Sequence, residues 1–198
     1  MSLLELLAVL FSAAGVWLTG RRAVLCWPVM LVASVLYGAV FLRAHLYADT
    51  ALQGVFAALS VYGWWGWLRG VQDAGAVQVV RPPRGVLVRG VLLSGVVGVL
   101  LGAGLQEWTD DPNPLLDAVL SVFSILGQVW MARRYLACWL IWLGVDVLYT
   151  GLFLVRELYL TAGLYAVFVA LAAFGWMQWQ AVQPERLAQK APDTINEV

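Results

Sequence analysis

The chain has 198 residues, of which 62% are hydrophobic and only 12% are charged, and its acidic and basic residues balance to a net charge of zero. This composition excludes an ordinary soluble domain and is typical of an integral membrane protein. The neutral charge argues against nucleic acid as a partner. Because alternating hydrophobicity is absent, helices are favoured over a transmembrane barrel.

Long apolar segments follow one another along the whole chain. A membrane-spanning helix needs about 20 predominantly apolar residues. Seven segments are predicted to span the membrane, at 3–19, 24–42, 47–68, 86–105, 115–131, 135–154 and 158–179. A cytoplasmic loop at 69–85 and a polar cytoplasmic tail at 184–198 are also predicted. The first segment opens with Glu5 in place of a basic region, so we expect no cleaved signal peptide.

Basic residues fall unevenly on the two sides of the predicted bundle. When loops are placed alternately, one side has only Arg43 and Arg156. The other side collects Arg21, Arg22, Arg69, Arg81, Arg84, Arg89, Arg133, Arg134, Arg186 and Lys190. Because cytoplasmic loops carry the excess of Lys and Arg, the N-terminus is predicted to lie outside and the C-terminus in the cytoplasm.

The two ends of the chain match each other at a constant offset of 112 residues, without gaps. The matched pairs include Phe11 and Phe123, Ser12 and Ser124, Cys26 and Cys138, Trp27 and Trp139, Tyr37 and Tyr149, and Trp67 and Trp179. An all-α fold is therefore predicted, with three-helix repeats at 1–68 and 106–183 joined by a linker helix at 86–105. Four helices precede the second repeat, so both repeats begin on the same side and run in the same direction. Parallel repeats of this kind are found in transporters.

Two long stretches carry a family resemblance: "SVLYGAVFLRAHLYADTALQGVFAALSVYGWWGW" at 34–67 and "MARRYLACWLIWLGVDVLYTGLFLVRELYLTAGLYAVFVALAAFGWMQW" at 131–179. They resemble the PnuC family of bacterial vitamin transporters. The resemblance implies a SWEET-like fold of three, one and three helices in the inner membrane. It also implies facilitated diffusion of nicotinamide riboside, trapping by a cytoplasmic riboside kinase, and a homotrimer. Similar proteins are assigned thiamine or riboflavin, so the vitamin stays open.

The sixth predicted span carries the clearest candidate site. At about 100° per residue, Trp139, Trp142, Asp146 and Tyr149 fall on one stripe. A lone carboxylate in hydrocarbon costs a few kcal/mol or more, so Asp146 must face protein or water. A binding role is favoured, and a structural hydrogen bond to a neighbouring helix is the alternative. The repeat mates of Asp146 and Tyr149 are Ser34 and Tyr37, which join the candidate site.

A carboxylate beside tryptophans suits a cationic aromatic ligand, because the rings offer cation–π contact and the carboxylate a counter-ion. Nicotinamide riboside and thiamine both have a cationic ring, whereas riboflavin needs neither contact. The leading hypothesis is therefore a uniporter for a cationic vitamin precursor. A sugar carrier of the SWEET type is a rival within transport. A membrane-embedded enzyme or a scaffold is a rival of another class.

The third and seventh predicted spans add polar and aromatic candidates. One stripe of the third span holds Gln53, Trp64 and Trp67, whereas Trp65 points away and is predicted to be an interfacial anchor. The equivalent stripe of the seventh span holds Tyr165 and Trp176. These aromatics fit ligand stacking, but a girdle, packing or gating role is the alternative. Gln53 and Gln128 fit a hydrogen bond either to ligand or to another helix.

Other chemistry is disfavoured by the residues present. The chain has one His and two Cys, which make no plausible metal site. Cys26 and Cys138 are predicted on the reducing cytoplasmic side, where a structural disulfide is not expected. No phosphate-binding loop or nucleophile motif is visible. We therefore expect neither a cofactor nor enzymatic activity.

Overall fold

The computed structural model describes residues 3–106 and 113–189, with side chains described as far as residue 182. These ranges form seven helices: α1 Leu3–Gly20, α2 Cys26–Arg43, α3 Tyr47–Ala74, α4 Arg84–Leu105, α5 Pro114–Ala132, α6 Cys138–Val155 and α7 Tyr159–Gln189. Every predicted span coincides with one of them, to within a few residues at its ends except at the C-terminal ends of α3 and α7. Helix α3 continues through 69–74, which was predicted as loop, and α7 continues past 184, which was predicted as tail. Most of the predicted tail, from 190 onward, lies outside the described residues.

Six of these helices are long and apolar enough to cross a membrane, and α3 is the exception. It is less apolar because it carries polar side chains along its whole length, among them Asp49, Gln53, Gln72 and Asp73. Its 28 residues nevertheless extend about 42 Å, which exceeds the roughly 30 Å hydrocarbon thickness of a bilayer. Composition therefore distinguishes α3 from the other helices, whereas its length does not.

The helices pack in two sets with matching neighbours. In the first set α2 packs against α1 and α3, and in the second α6 packs against α5 and α7. The sets meet where α1 contacts α7 and where α5 contacts α3. Among the described residues, α4 packs against α5 and no other helix. Apart from the contact of α5 with α4, each helix of the first set thus has the same pattern of neighbours as the helix about 112 residues later.

Local geometry also matches at this offset. The turn after α1 places Arg22 at a φ of 59°, and the turn after α5 places Arg134 at 63°. His45 after α2 and Glu157 after α6 both have a φ of 59°. Left-handed backbone is uncommon for residues other than glycine. Its recurrence at equivalent helix ends shows that the two sets reverse direction in the same way.

Four tryptophans form the centre of the buried core at the end of the bundle that bears Arg21, Arg22, Arg133 and Arg134. This tryptophan cluster consists of Trp27, Trp67, Trp139 and Trp179, each at most 1% exposed. Its rings fit because glycine faces them: a Cβ on Gly63 would collide with the Trp27 ring, and a Cβ on Gly175 with the Trp139 ring.

The segment between α3 and α4 lies across the same end of the bundle. Gly75, at a φ of 70°, ends α3. Val77 is then buried in the core beside the tryptophan cluster. The Val80 amide donates to the Arg134 carbonyl at 2.8 Å, and the Leu136 amide donates to the Val80 carbonyl at 3.1 Å. This segment is therefore fixed to the turn between α5 and α6.

Candidate functional site

A cavity of about 440 Å³ lies between the helices of the two sets, and α4 takes no part in it. Its volume is within the range of small-molecule sites, about 300–1,000 Å³. The lining is mostly aromatic and aliphatic, with a few polar groups. It comprises Ser12, Val16, Met30, Ala33, Ser34, Tyr37, Phe41, Gln53, Phe56, Gln128, Met131, Trp142, Asp146, Phe153, Thr161, Leu164, Tyr165, Phe168 and Ala172.

The cavity brings together more than half of the residues that the sequence singled out. Those that line it are Asp146, Trp142, Gln53, Ser34, Tyr37, Tyr165 and Gln128. They come from α2, α3, α5, α6 and α7, so segments far apart in the chain converge on one space. Trp139, Tyr149, Trp64, Trp67 and Trp176 do not line it.

Asp146 is the one charged residue in the described lining of the cavity. It lies in the middle of α6 and is only 6% exposed. Its backbone carbonyl accepts a hydrogen bond of 2.7 Å from the Thr150 hydroxyl one turn later in the same helix. A buried carboxylate with no basic residue in the described lining favours a cationic group in the cavity, because a paired charge is far less costly to bury.

Trp142 lies one turn from Asp146 on the same helix. Its indole edge rests against Gly127, where even a Cβ would stand 3.2 Å from the ring. The indole Nε1 is buried and has no hydrogen-bond partner among the described residues. A buried donor of this kind usually has a partner. Trp142 thus lines the cavity while its unpaired indole donor lies against Gly127.

Aromatic rings form the wall of the cavity on the other side of Asp146. The Tyr165 ring lies 4.9 Å from that of Tyr149 and 5.2 Å from that of Phe153, between centroids. Phe168 meets Tyr165 edge to face at 5.9 Å. Tyr149 thus stands behind the lining and packs against Tyr165, so its contribution to the site is to support that ring.

The remaining predicted tryptophans lie outside the cavity. Trp67 and Trp139 belong to the tryptophan cluster, and Trp176 packs against its edge. Trp64 exposes 36% of its surface and does not line the cavity, so the structure does not support it as a ligand-stacking residue. The reason is that α3 buries the side bearing Gly63, where the Trp27 ring packs, and this turns Trp64 outward. Trp65 is more exposed, at 55%, with the Arg69 guanidinium 3.7 Å above its ring.

Sequence reasoning missed two polar residues of the cavity, Ser12 and Thr161. Each had a usable signal. Ser12 is one of the pairs that match at the 112-residue offset, and Thr161 lies on the same helical stripe as Tyr165. A hydroxyl inside an apolar helix is nevertheless a weak indication of a site, because the helix's own carbonyls readily satisfy it.

Comparisons with known proteins agree on one family. The family model described as "Nicotinamide mononucleotide transporter" matches residues 2–181. A riboflavin/roseoflavin transporter, RibM of Streptomyces davaonensis, is 30% identical over 165 residues, which cover 80% of this chain and 76% of that protein. The nicotinamide riboside transporter PnuC of Escherichia coli is 25% identical over 174 residues, covering 75% of this chain and 73% of PnuC.

A solved structure has the same fold. The crystal structure of the vitamin B3 transporter PnuC matches with a TM-score of 0.73 at 22% identity, covering 92% of this chain and 82% of that one. The resemblance predicted from the sequence is thereby confirmed, and so is the expectation that the protein is not an enzyme. The chain belongs to the nicotinamide mononucleotide transporter family and is a multi-pass membrane transporter for a vitamin, of the PnuC type.

Proposed function

We propose that this protein carries nicotinamide riboside across the bacterial inner membrane by facilitated diffusion. The observation that carries the proposal is the single carboxylate, Asp146, in the described wall of an otherwise uncharged aromatic cavity. Nicotinamide riboside has a positively charged pyridinium ring, which a carboxylate and the face of an aromatic ring both attract. The relative from Escherichia coli, a nicotinamide riboside transporter by name, supports the same substrate.

The polar groups of the cavity supply a place for the rest of this substrate. Gln128 is 2% exposed and Ser34 is 8% exposed, and both line the cavity, as does Gln53 on α3. A primary amide offers two donors and an acceptor, which match a carboxamide or the hydroxyls of a ribose. Within the cavity, Asp146 would contact the pyridinium, Trp142 would stack on it, and the amides would bond the sugar and carboxamide.

The proposed architecture is two parallel three-helix repeats, α1–α3 and α5–α7, with α4 as the linker and α3 as a seventh crossing. It is supported by the matching neighbours of the two sets and by their matching turns. We propose that the N-terminus lies outside and that the arginine-bearing end of the bundle faces the cytoplasm, in keeping with the excess of basic residues there. A site between repeats can be exposed alternately by rocking one repeat against the other.

This mechanism needs no coupled ion. The substrate would run down its gradient and be trapped inside when a cytoplasmic riboside kinase adds a phosphate. We also propose that the functional unit is a homotrimer, as the PnuC resemblance implies.

Riboflavin is the second candidate substrate, and the 30% identity to a riboflavin/roseoflavin transporter favours it. Riboflavin has a large neutral ring system, so aromatic stacking would hold it without the charge of Asp146. Thiamine, which is cationic, would use Asp146 as nicotinamide riboside does. The three vitamins therefore differ in how far each depends on this one carboxylate.

The test is calorimetric titration of the detergent-purified protein with each vitamin, for wild type and Asp146→Asn. Asp73→Asn makes the same charge change at an exposed position outside the cavity and is the control. Charge-assisted contacts contribute about 1.5–3 kcal/mol. Nicotinamide riboside should thus bind wild type and Asp73→Asn alike, and Asp146→Asn about 10- to 100-fold more weakly.

Equal binding of nicotinamide riboside to wild type and Asp146→Asn would contradict the role of Asp146. No binding of nicotinamide riboside would contradict the proposed substrate. Saturable binding of riboflavin alone, unchanged in Asp146→Asn, would establish the second candidate. Uptake into proteoliposomes without an imposed ion gradient then tests facilitated diffusion.

A further inference from the structure

We propose that Trp67 and Trp179 are the gate that closes the arginine-bearing end of the cavity, and that substrate passes this end only when their two rings part. The inference rests on the proposed transport function, but its test does not require the substrate to be known. It assigns a role to the tryptophan cluster, which lies outside the cavity.

The cluster is continuous with the end of the cavity. Met131 and Ala172 line the cavity and are also members of the buried core that contains the cluster, at 1% exposure each. Beyond them, toward the arginine-bearing end, the rings of Trp67 and Trp179 lie 6.0 Å apart between centroids. Both are 0% exposed, so the described structure leaves no open path between them.

Each gate tryptophan is bonded to the opposite set of helices. Trp67 on α3 donates its indole Nε1–H to the Met131 carbonyl on α5 at 3.2 Å. Trp179 on α7 donates to the Thr19 carbonyl on α1 at 3.0 Å. Any motion that separates the two sets at this end must therefore break both hydrogen bonds and the contact between the rings. Parting the gate and rocking the sets are the same movement.

Two further tryptophans pack against the gate residues. Trp27 packs edge to face on Trp67 at 5.3 Å, and Trp139 packs edge to face on Trp179 at 5.5 Å. Each of these pairs lies within one set, so it can move as a unit with its own helices. The ring contact that crosses between sets is the one between Trp67 and Trp179, which is why the gate is placed there.

Two indole donors in the closed arrangement have no hydrogen-bond partner among the described residues. They are the buried Nε1 atoms of Trp27 and Trp139. Water entering a parted gate would supply those partners. Closure thus gains two hydrogen bonds and ring contacts but leaves two donors unpaired, a balance that suits a barrier that must open repeatedly.

The protein contains its own reporters for this movement. Its two cysteines, Cys26 and Cys138, directly precede Trp27 and Trp139 and are 0% exposed in the same buried core. A closed gate should protect both thiols, and a parted gate should admit a reagent to them. The rate of alkylation by a membrane-impermeant maleimide therefore measures opening.

The experiment compares wild type with Trp67→Phe, Trp179→Phe and the double variant, each in proteoliposomes. Phenylalanine keeps an aromatic ring but removes the indole donor. Losing one hydrogen bond should raise the alkylation rate about fivefold, and losing both should raise it further. Trp65→Phe, at a 55% exposed position on α3, is the control and should change the rate less than about twofold.

Alkylation of the double variant at the wild-type rate would overturn the gate, whether or not nicotinamide riboside binds. Accelerated alkylation without binding of any vitamin would instead support the gate and contradict the proposed substrate. A second measurement on unaltered protein guards against misfolded variants. In sealed vesicles of both orientations, wild type should be alkylated from the arginine-bearing face, and faster reaction from the opposite face would overturn the proposal.

Discussion

Gly175 offers a strict test of the packing around the tryptophan cluster. A Cβ at this position in α7 would collide with the six-membered ring of Trp139, a rigid group that is itself buried. At Gly163, in the same helix, a Cβ would have no neighbouring side chain or other helix within 4 Å. Gly175→Ala and Gly163→Ala therefore make an identical chemical change in one helix, and only the first requires the core to move.

Two effects on the free energy of unfolding, with opposite signs, are expected from these substitutions. Replacing glycine by alanine inside a helix favours folding by about 1 kcal/mol, which should appear in full at Gly163. Overpacking a close-packed core costs about 1–3 kcal/mol, which at Gly175 offsets or exceeds that gain. The free energy of unfolding should thus differ between the two variants by about 1–3 kcal/mol, with Gly175→Ala the less stable.

The assay is thermal unfolding in detergent, followed by a thiol-reactive fluorophore that reports exposure of the buried Cys26 and Cys138. For a chain of this size about 1 kcal/mol shifts Tm by roughly 2–4 °C. Gly175→Ala should therefore unfold several degrees below Gly163→Ala. Equal midpoints, or a higher midpoint for Gly175→Ala, would refute the reasoning, because the Trp139 ring would then have room that the structure denies it.

Two predictions concern the cavity. Trp142→Phe keeps a ring beside Asp146 but replaces the indole, the strongest cation–π partner, by a weaker one. Calorimetry should therefore record nicotinamide riboside binding about fivefold weaker, the equivalent of about 1 kcal/mol; unchanged affinity would show that the indole ring makes no contact with this ligand. Trp64 is 36% exposed and lies outside the cavity, so Trp64→Phe should alter the affinity for nicotinamide riboside less than about twofold. A loss as large as that of Trp142→Phe would show that Trp64 contributes to binding.

Helical periodicity predicted much of the polar lining of the cavity because it specifies which residues share a face of a helix. Asp146 and Trp142 on α6 were selected in this way, as were Gln53 on α3 and Tyr165 on α7, and all four line one cavity. Periodicity does not specify how far along the helix axis, and so how deep in the bundle, the cavity lies. Trp139 shares the stripe of Trp142 but lies one turn further toward the helix end, where it joins the buried cluster.

The rest depended on contacts between segments that periodicity does not report. The outward position of Trp64 follows from a ring on α2 that packs against a glycine on α3. Helix α3 is more polar than the other six helices. One of its polar residues is Gln53, which lines the cavity. The extensions of α3 and α7 past their apolar segments were missed because hydrophobicity ends before the helix does.

Equivalent positions in the two sets of helices are identical at some places inside the cavity and different at others. Where both partners of a matched pair line it, the aromatic pairs Phe41 and Phe153, and Phe56 and Phe168, are identical. The polar positions have diverged: Val16 pairs with Gln128, Met30 with Trp142, Ser34 with Asp146, and Gln53 with Tyr165.

The tryptophan cluster, by contrast, has the same residues and the same hydrogen bonds between sets at equivalent positions. Two sets that rock about a shared axis must move alike, so the parts that separate have to match. An asymmetric ligand held between them requires unlike contacts on its two sides. The pattern of identity and divergence is therefore the one expected if the cluster moves and the polar positions bind, and the alkylation and titration experiments address those two roles independently.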